Sequence, residues 1–369
     1  MNEATLKRII FFKAISPVHM GAGQGLEHID LPIQREVHTK FPIFYASGIK
    51  GAFRQYALEK AYGELIGNET IKEAVKEILN LLVKAEESQQ IVESFITLSL
   101  LDKWVEGFPE KENSDEIETY KNELKIDIQG KLLKLLELKE EDIGEDKIDK
   151  YLTEIVEEIL KITKILAHIF GSQNKRGAIT FSDGMILFFP VKSLKGVFAY
   201  TTSPLVLERF KEFTKGDFGI KRPEEGYICA SENLAFQNNR KVVLEEFEFN
   251  QIGNCLDVLE NIKIPCELKN QIKERFAIVD DDTFTYFVEN FTEVVTRIKI
   301  NPETGTVDQG ALWTEEYLPA ESVMYSLYFE NKSLSEEHRK YLPKNGELIN
   351  IGGDQTVGKG FVKLHIVDL

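Results

Sequence analysis

The sequence predicts an α+β fold: a sheet backed by helices on one face, interrupted by an acidic helical insertion over 61–165. Three observations predict it. Five segments in the flanks of the chain are short and rich in β-branched and aromatic residues. Two central segments repeat apolar residues at the helical period, and acidic charge is concentrated around them.

Taken in order, "LKRIIFFKAIS" (6–16) reads as the first strand and 47–63 as a helix. Over 69–85, Ile71, Ala74, Val75, Ile78 and Leu82 recur at the spacing of one helical face. The same period returns over 147–169 through Ile148, Tyr151, Leu152, Ile155, Ile159 and Ile162, while 106–118 reads as a charged surface loop. Strands resume at 177–190, 241–249, 291–300 and 322–330, with a helix near 204–215. The body of the protein is therefore expected over 1–60 and 166–369, with 61–165 inserted between its two parts.

Composition bounds the function. The 369 residues carry a formal net charge of −16, which ordinarily disfavours nucleic acid. Residues 60–165 hold 15 Lys, 26 Asp or Glu and no Arg, a net of −11 that leaves −5 for the rest. All ten arginines lie outside this block, where their planar donor forks suit phosphate. The plainer reading of the block is a solvated Lys/Glu-rich helical region. No run of about 18 apolar residues and no signal-peptide layout is seen, so a soluble cytoplasmic protein with no membrane partner is expected. Cys229, Cys255 and Cys266 match neither a disulfide framework nor a CxxC zinc site and read as small buried or incidental thiols.

Four segments carry chemistry. Residues 19–54 crowd His19, Asp30, Arg35, Glu36 and His38 among glycines at 21, 23 and 25, which suits a polar, anionic partner. His19, His28 and His38 with Asp30 match no zinc-site spacing, so a zinc site is disfavoured. "GIKGAF" (48–53) and "SLKGVF" (193–198) echo each other, each as a possible helix start whose free N–H groups meet phosphate; chance is the alternative. "NIGGDQTVGKGFV" (350–362) is a glycine-rich loop outside any strand-GxGxxG-helix context, suited to cradle phosphate or to serve as plain turns. Residues 297–319 look like a projecting hairpin with a turn at Pro302 and Gly305. Its apolar side chains could wedge between bases, with Glu315 and Glu316 near a reacting sugar-phosphate, or Trp313 could simply fill the core.

Together these motifs resemble the RAMP proteins of type III CRISPR effectors, and among them the repeating backbone subunit of the type III-B (Cmr) complex. The resemblance rests on "SPVHMGAG" followed by "DLPIQRE", on "SGIKGAFR", on "FGSQNKRGAITFSD" running into "FPVKSLKGVFAYTTSPLVL", on "GALWTEEYLPAE" and on "IGGDQTVGKGFVKL". It implies an RRM-like (ferredoxin-like) palm, a β-hairpin thumb near 296–319, and copies of the chain assembled as a filament along a guide crRNA with other Cmr subunits. It further implies cutting of complementary target RNA at regular intervals, with Asp30 of the D-x-P-I-Q-R-E motif as the catalytic residue, His19 upstream, and Glu315 and Tyr317 as accessory positions. The acidic insertion over 61–165 is longer than the resemblance leads one to expect.

RNA is cut when a 2′-hydroxyl is deprotonated and attacks the adjacent phosphate in line. An unperturbed Asp, with a pKa near 3.9, is a weak base at neutral pH, so either burial raises Asp30 or Mg2+ bound through it shares the task. His19 is read as a donor to a phosphate or leaving-group oxygen. Lys50, Arg54, Arg176 and Lys359 are expected to contact guide phosphates. Two alternatives stand beside this endoribonuclease: a non-catalytic guide-RNA scaffold in which Asp30 is a structural cap, and a protein-interaction module built on the acidic helices.

Overall fold

The computed structural model describes residues 5–25, 28–82, 96–109, 114–135, 145–173, 175–236, 238, 240–301 and 306–369. These residues divide into two compact units. One is helical and is drawn from the described residues of Phe53–Thr180 and Glu330–Pro343 with Thr5. The other comprises Leu6–Ala52, Phe181–Phe329 and Lys344–Leu369 and contains most of the sheet.

Helix α1 (Ala46–Gly67) is followed by α2 (Glu69–Leu82), α3 (Leu98–Gly107), α4 (Ser114–Leu135) and α5 (Glu145–Phe170). The predicted apolar face of α2 is the buried one, with Ile71, Ala74, Val75 and Ile78 inside; residues 83–85 of the expected helix lie outside the described residues. On α5, Ile148, Leu152, Ile155 and Ile159 are buried at the same period. Thr97 caps α3, accepting a hydrogen bond from the Leu100 N–H, and Asp115 and Glu116 sit in the first turn of α4 where the helix dipole favours them. The expected loop over 106–118 is shorter than its charge suggested, because α3 runs to Gly107 and α4 begins at Ser114. Its residues 110–113 lie outside the described residues.

The strands are β1 (Thr5–Ala14), β2 (Ile43–Phe44), β3 (Ile179–Phe181), β4 (Gly184–Ser193), β5 (Val197–Thr202), β6 (Tyr227–Ala230), β7 (Lys241–Leu244), β8 (Phe247–Gly253), β9 (Phe276–Ile278), β10 (Glu293–Ile300), β11 (Val307–Tyr317), β12 (Val323–Asn331), β13 (Leu348–Asn350) and β14 (Phe361–Asp368). Twelve of them form one sheet whose main path runs β13-β14-β1-β12-β4-β5-β9-β6-β8-β7. A further pairing of Ser193 with Leu244 joins β4 to β7, so β4-β5-β9-β6-β8-β7 closes into a ring. Strands β10 and β11 form a separate antiparallel pair. The α+β class is therefore observed.

Helix α6 (Pro204–Thr214) starts at the Ser203 cap and α7 (Asp281–Asn290) at the Asp280 cap, each accepting a backbone N–H in the first turn. Phe210 of α6 packs on Phe11 at 6.0 Å and on Tyr325 at 4.9 Å between ring centres, which anchors this helix on β1 and β12.

Three sequence expectations change here. The echo "SLKGVF" is not a helix start: Ser193 ends β4, Val197 begins β5, and the residues between them make the hairpin turn. The true helix start at Ala46 already has a carboxylate, since Asp183 Oδ1 accepts the Ala46 N–H at 2.7 Å. Cys229 and Cys255, expected as separate thiols, are joined as a disulfide with Cα atoms 5.6 Å apart. Their 26-residue separation carries no spacing signal; register brings them together, because Cys229 of β6 pairs with Gly253 of β8, two residues before Cys255.

Candidate active site

Strand β11 organises the site. Its antiparallel partner β10 places Arg297 opposite Trp313 and Glu293 opposite Tyr317. On its other side β11 receives the loop from residue 17 to residue 34. Val18 and Leu318 exchange two backbone hydrogen bonds of 2.9 Å, and Leu31 bonds to the Thr314 carbonyl and the Glu316 N–H, both at 3.0 Å. The two arms of this loop also pair with each other, through Gln34 N–H to Met20 O at 2.7 Å and Ala22 N–H to Pro32 O at 2.9 Å. Gly25 permits the tight return: a Cβ there would stand 2.2 Å from the Ile29 carbonyl oxygen.

This geometry seats both predicted residues on one strand. Asp30 is exposed, and its Oδ2 accepts the Thr314 N–H at 2.7 Å and the Thr314 hydroxyl at 2.9 Å. Those two donors, the backbone one first, hold the Asp30 carboxyl below the usual aspartate range. Desolvation raises it less than these bonds lower it. His19 is half-buried; its Nδ1 donates to the Glu316 carbonyl at 2.7 Å, and its ring meets Tyr317 edge-on at 5.6 Å. Asp30 and His19 are thus fixed to residues 314 and 316, about 7 Å apart along the strand.

Glu315, Tyr317 and Glu316 are buried, so none offers a freely solvated group to a reacting sugar-phosphate. Glu315 accepts from Trp313 Nε1 at 2.6 Å, from Arg297 Nε at 3.0 Å and from the Tyr317 hydroxyl. Burial pushes this carboxyl up, and the three donors outweigh it, holding it below the usual glutamate range. Tyr317 OH also lies 2.9 Å from Asp354 Oδ2, and burial and these carboxylates push its pKa well up. Glu316 points to the opposite face, where Arg35 pairs with it at 2.5 Å and Thr292 and the Ile33 N–H donate to it. The glycine-rich loop closes the other end: Gly353 N–H bonds the His19 carbonyl at 2.8 Å, and Lys359 Nζ lies 4.8 Å from the Tyr317 ring centre.

The predicted basic residues do not converge. Lys359 alone joins this cluster. Lys50 is half-buried in the second turn of α1. Arg54 belongs to the helical unit and pairs with Asp102 at 2.6 Å and Glu106 at 3.7 Å. Arg176 is exposed on the turn after α5 in that same unit. The other histidines also lie apart from His19: His28 is exposed, and His38 meets Arg209 at 3.1 Å. Pro302 and Gly305 of the expected hairpin tip lie outside the described residues.

A divalent cation is held by converging oxygen donors. Among the described residues no three His, Cys, Asp or Glu side chains converge to hold an ion, and Asp30 offers one oxygen not engaged by Thr314. No cage of protein ligands is therefore present among the described residues; the loosely held Mg2+ expected from the sequence needs only one or two carboxylates with substrate phosphates and waters, and Asp30 Oδ1 would be the protein's ligand to it. Sequence reasoning did not single out Thr314, Arg297 or Asp354, although all three lay within flagged segments, Thr314 inside "GALWTEEYLPAE".

Comparison with known proteins places this geometry in a family. A model of the RAMP superfamily matches residues 11–363. This chain belongs to the RAMP superfamily. This RAMP protein is 31% identical to the CRISPR system Cmr endoribonuclease Cmr4 of Pyrococcus furiosus, over 96% of this chain and 94% of that one. It is 24% identical to the CRISPR system CMR subunit Cmr4 of Saccharolobus solfataricus, over 99% and 98% of the two chains. Its fold is similar to that of crystalline oligomeric Cmr4 from Pyrococcus furiosus, with a TM-score of 0.56, 26% identity, and coverage of 99% and 98%. A chain of the type III-B Cmr-beta complex bound to cognate target RNA shares the fold at a TM-score of 0.54 and 18% identity, over 98% and 96%. Among the described residues of this RAMP protein no helix is long and apolar enough to cross a membrane.

Proposed function

We propose that this RAMP protein is the repeating backbone subunit of a type III-B CRISPR effector, that copies of it assemble along a guide crRNA with other Cmr subunits, and that it cuts complementary target RNA with Asp30 at the cutting position. The relatives' names and assemblies support the first two parts. In this reading the sheet unit serves as the palm and β10–β11 as the thumb.

One observation carries the cutting role: an exposed carboxylate, fixed by Thr314, on the same strand that holds His19. Its depressed pKa keeps Asp30 ionised at neutral pH, so it suits orienting a 2′-hydroxyl through Oδ1 better than storing a proton. His19 suits the proton. Its Nδ1–H is spent on the Glu316 carbonyl, so Nε2 is the nitrogen left to face RNA: the neutral ring accepts a proton there, and the protonated ring donates one as the sequence suggested. The absent side chain of Gly21 leaves room there, since a Cβ would stand 2.8 Å from Nε2. The 2′-oxygen, its proton passed to Nε2, then attacks phosphorus, the bond to the 5′-oxygen breaks with that oxygen taking a proton from water, and a 2′,3′-cyclic phosphate and a 5′-hydroxyl result.

The test is Asp30→Asn in the assembled complex with guide and target. Cleavage is expected to fall by at least about 100-fold with guide retention unchanged. The same Thr314 hydrogen bonds favour a second reading, in which Asp30 only ties the loop to β11 in a non-catalytic scaffold; cutting at the parental rate would establish it.

A further inference from the structure

The carboxylate proposed to orient the attacking hydroxyl is held by a single residue, and the holding is reciprocal. Thr314 N–H and Thr314 Oγ1–H both aim at Asp30 Oδ2, at 2.7 and 2.9 Å, while Thr314 Oγ1 accepts the Asp30 N–H at 3.0 Å. The hydroxyl has one hydrogen, and the other acceptor within reach, the His28 carbonyl, is farther away at 3.4 Å. Both donors converge on the same oxygen, so turning the carboxylate breaks both bonds together. The second oxygen, Oδ1, is left for a ligand.

We infer that Thr314 is the positioning residue of the cutting site, indexing the Asp30 carboxylate to β11. This rests on the reading of Asp30 above. The strand supplies a rigid reference, because Leu31 bonds on both sides of Glu315, to Thr314 O and Glu316 N–H. An exposed aspartate otherwise samples several rotamers, and holding one in advance removes that search from the reaction. The branched Cβ of threonine in turn restricts its own χ1, which aims the hydroxyl. Valine matches that shape and lacks the hydroxyl. Serine keeps the hydroxyl and lacks the methyl.

The experiment compares Thr314→Val, Thr314→Ser and Asp30→Asn as full-length chains in the assembled complex with guide RNA. It reads the single-turnover cleavage rate and, separately, the Kd for target. Thr314→Val is expected to cut about 10- to 100-fold more slowly with target Kd within about twofold of the parent, and Thr314→Ser to recover to within about threefold. The inference is overturned if Thr314→Val cuts at the parental rate, or if Thr314→Ser is as slow as Thr314→Val, which would make shape the determinant. Asp30→Asn separates the two levels. If it cuts normally, the cutting role of Asp30 fails; if it is silent while Thr314→Val cuts normally, only the positioning role fails.

Discussion

Glu315 and Glu316 are neighbours in sequence and opposites in role. Strand alternation sends Glu315 to the face shared with Arg297 and Tyr317, and Glu316 to the face where Arg35 and Thr292 wait. The sequence offered them as an acidic pair near a sugar-phosphate; the parity of a strand already separates them, but their arginine partners, 18 and 281 residues away, were not legible. The Arg297 side chain is 28% exposed and Glu315 is buried, so Arg297→Met should cost about 1–3 kcal/mol, discounted for solvent at the arginine end and checked by urea denaturation. The pH consequence has a definite sign. The folded carboxyl of Glu315 titrates below its ordinary 4.5, so its contribution is present above that value and is lost as pH falls through the folded pKa. Acid should loosen β11 in that window, reported by the fluorescence of Trp313, which bonds Glu315 directly. No change in that signal below pH 4.5 would contradict the assignment.

At the scale of elements, long patterns were legible and short ones were not. The helices α2 and α5 were readable from a period repeated over many residues, and the strands β1, β4 and β12 from nine or ten residues rich in β-branched and aromatic side chains. Strands β6, β9 and β13 have four, three and three residues, too few to show a period. The glycine loop after β13 was visible by composition, yet its task was not: it meets the histidine loop backbone to backbone. A Cβ on Gly352 would lie 2.2 Å from the His19 carbonyl oxygen, and the residue holds φ +83°. Gly352→Ala should therefore destabilise by about 2 kcal/mol or more and slow cleavage by displacing His19. Gly23→Ala is the control, with φ +95° and open space around it; it should cost about 1 kcal/mol or less from backbone strain alone. Thermal melts and cleavage rates of both variants check the pair, and equal behaviour would remove the close-approach argument.

Across the whole molecule, charge is partitioned more sharply than the net of −16 conveys. The helical unit places its lysines against its own acids, as in Lys103 with Asp127 at 3.3 Å and Lys125 with Asp149. Arg54 is drawn into this pattern, although "SGIKGAFR" suggested phosphate; the helix start that the sequence identified is real, but Asp102 and Glu106 come from a segment some fifty residues later. Lys359 differs, since its ammonium rests over the Tyr317 ring of β11. A cation that meets RNA phosphate releases a counterion, so losing one contact should reduce the slope of log Kd against log salt by about 0.7. Lys359→Ala is expected to show that reduction in RNA binding by the assembled complex. Arg54→Ala is expected to lower the melting temperature and leave the salt slope unchanged, because the cation it removes already serves Asp102. Filter binding over a range of salt concentrations tests both. A slope change at Arg54 with none at Lys359 would reverse the assignment and move the phosphate contact to α1.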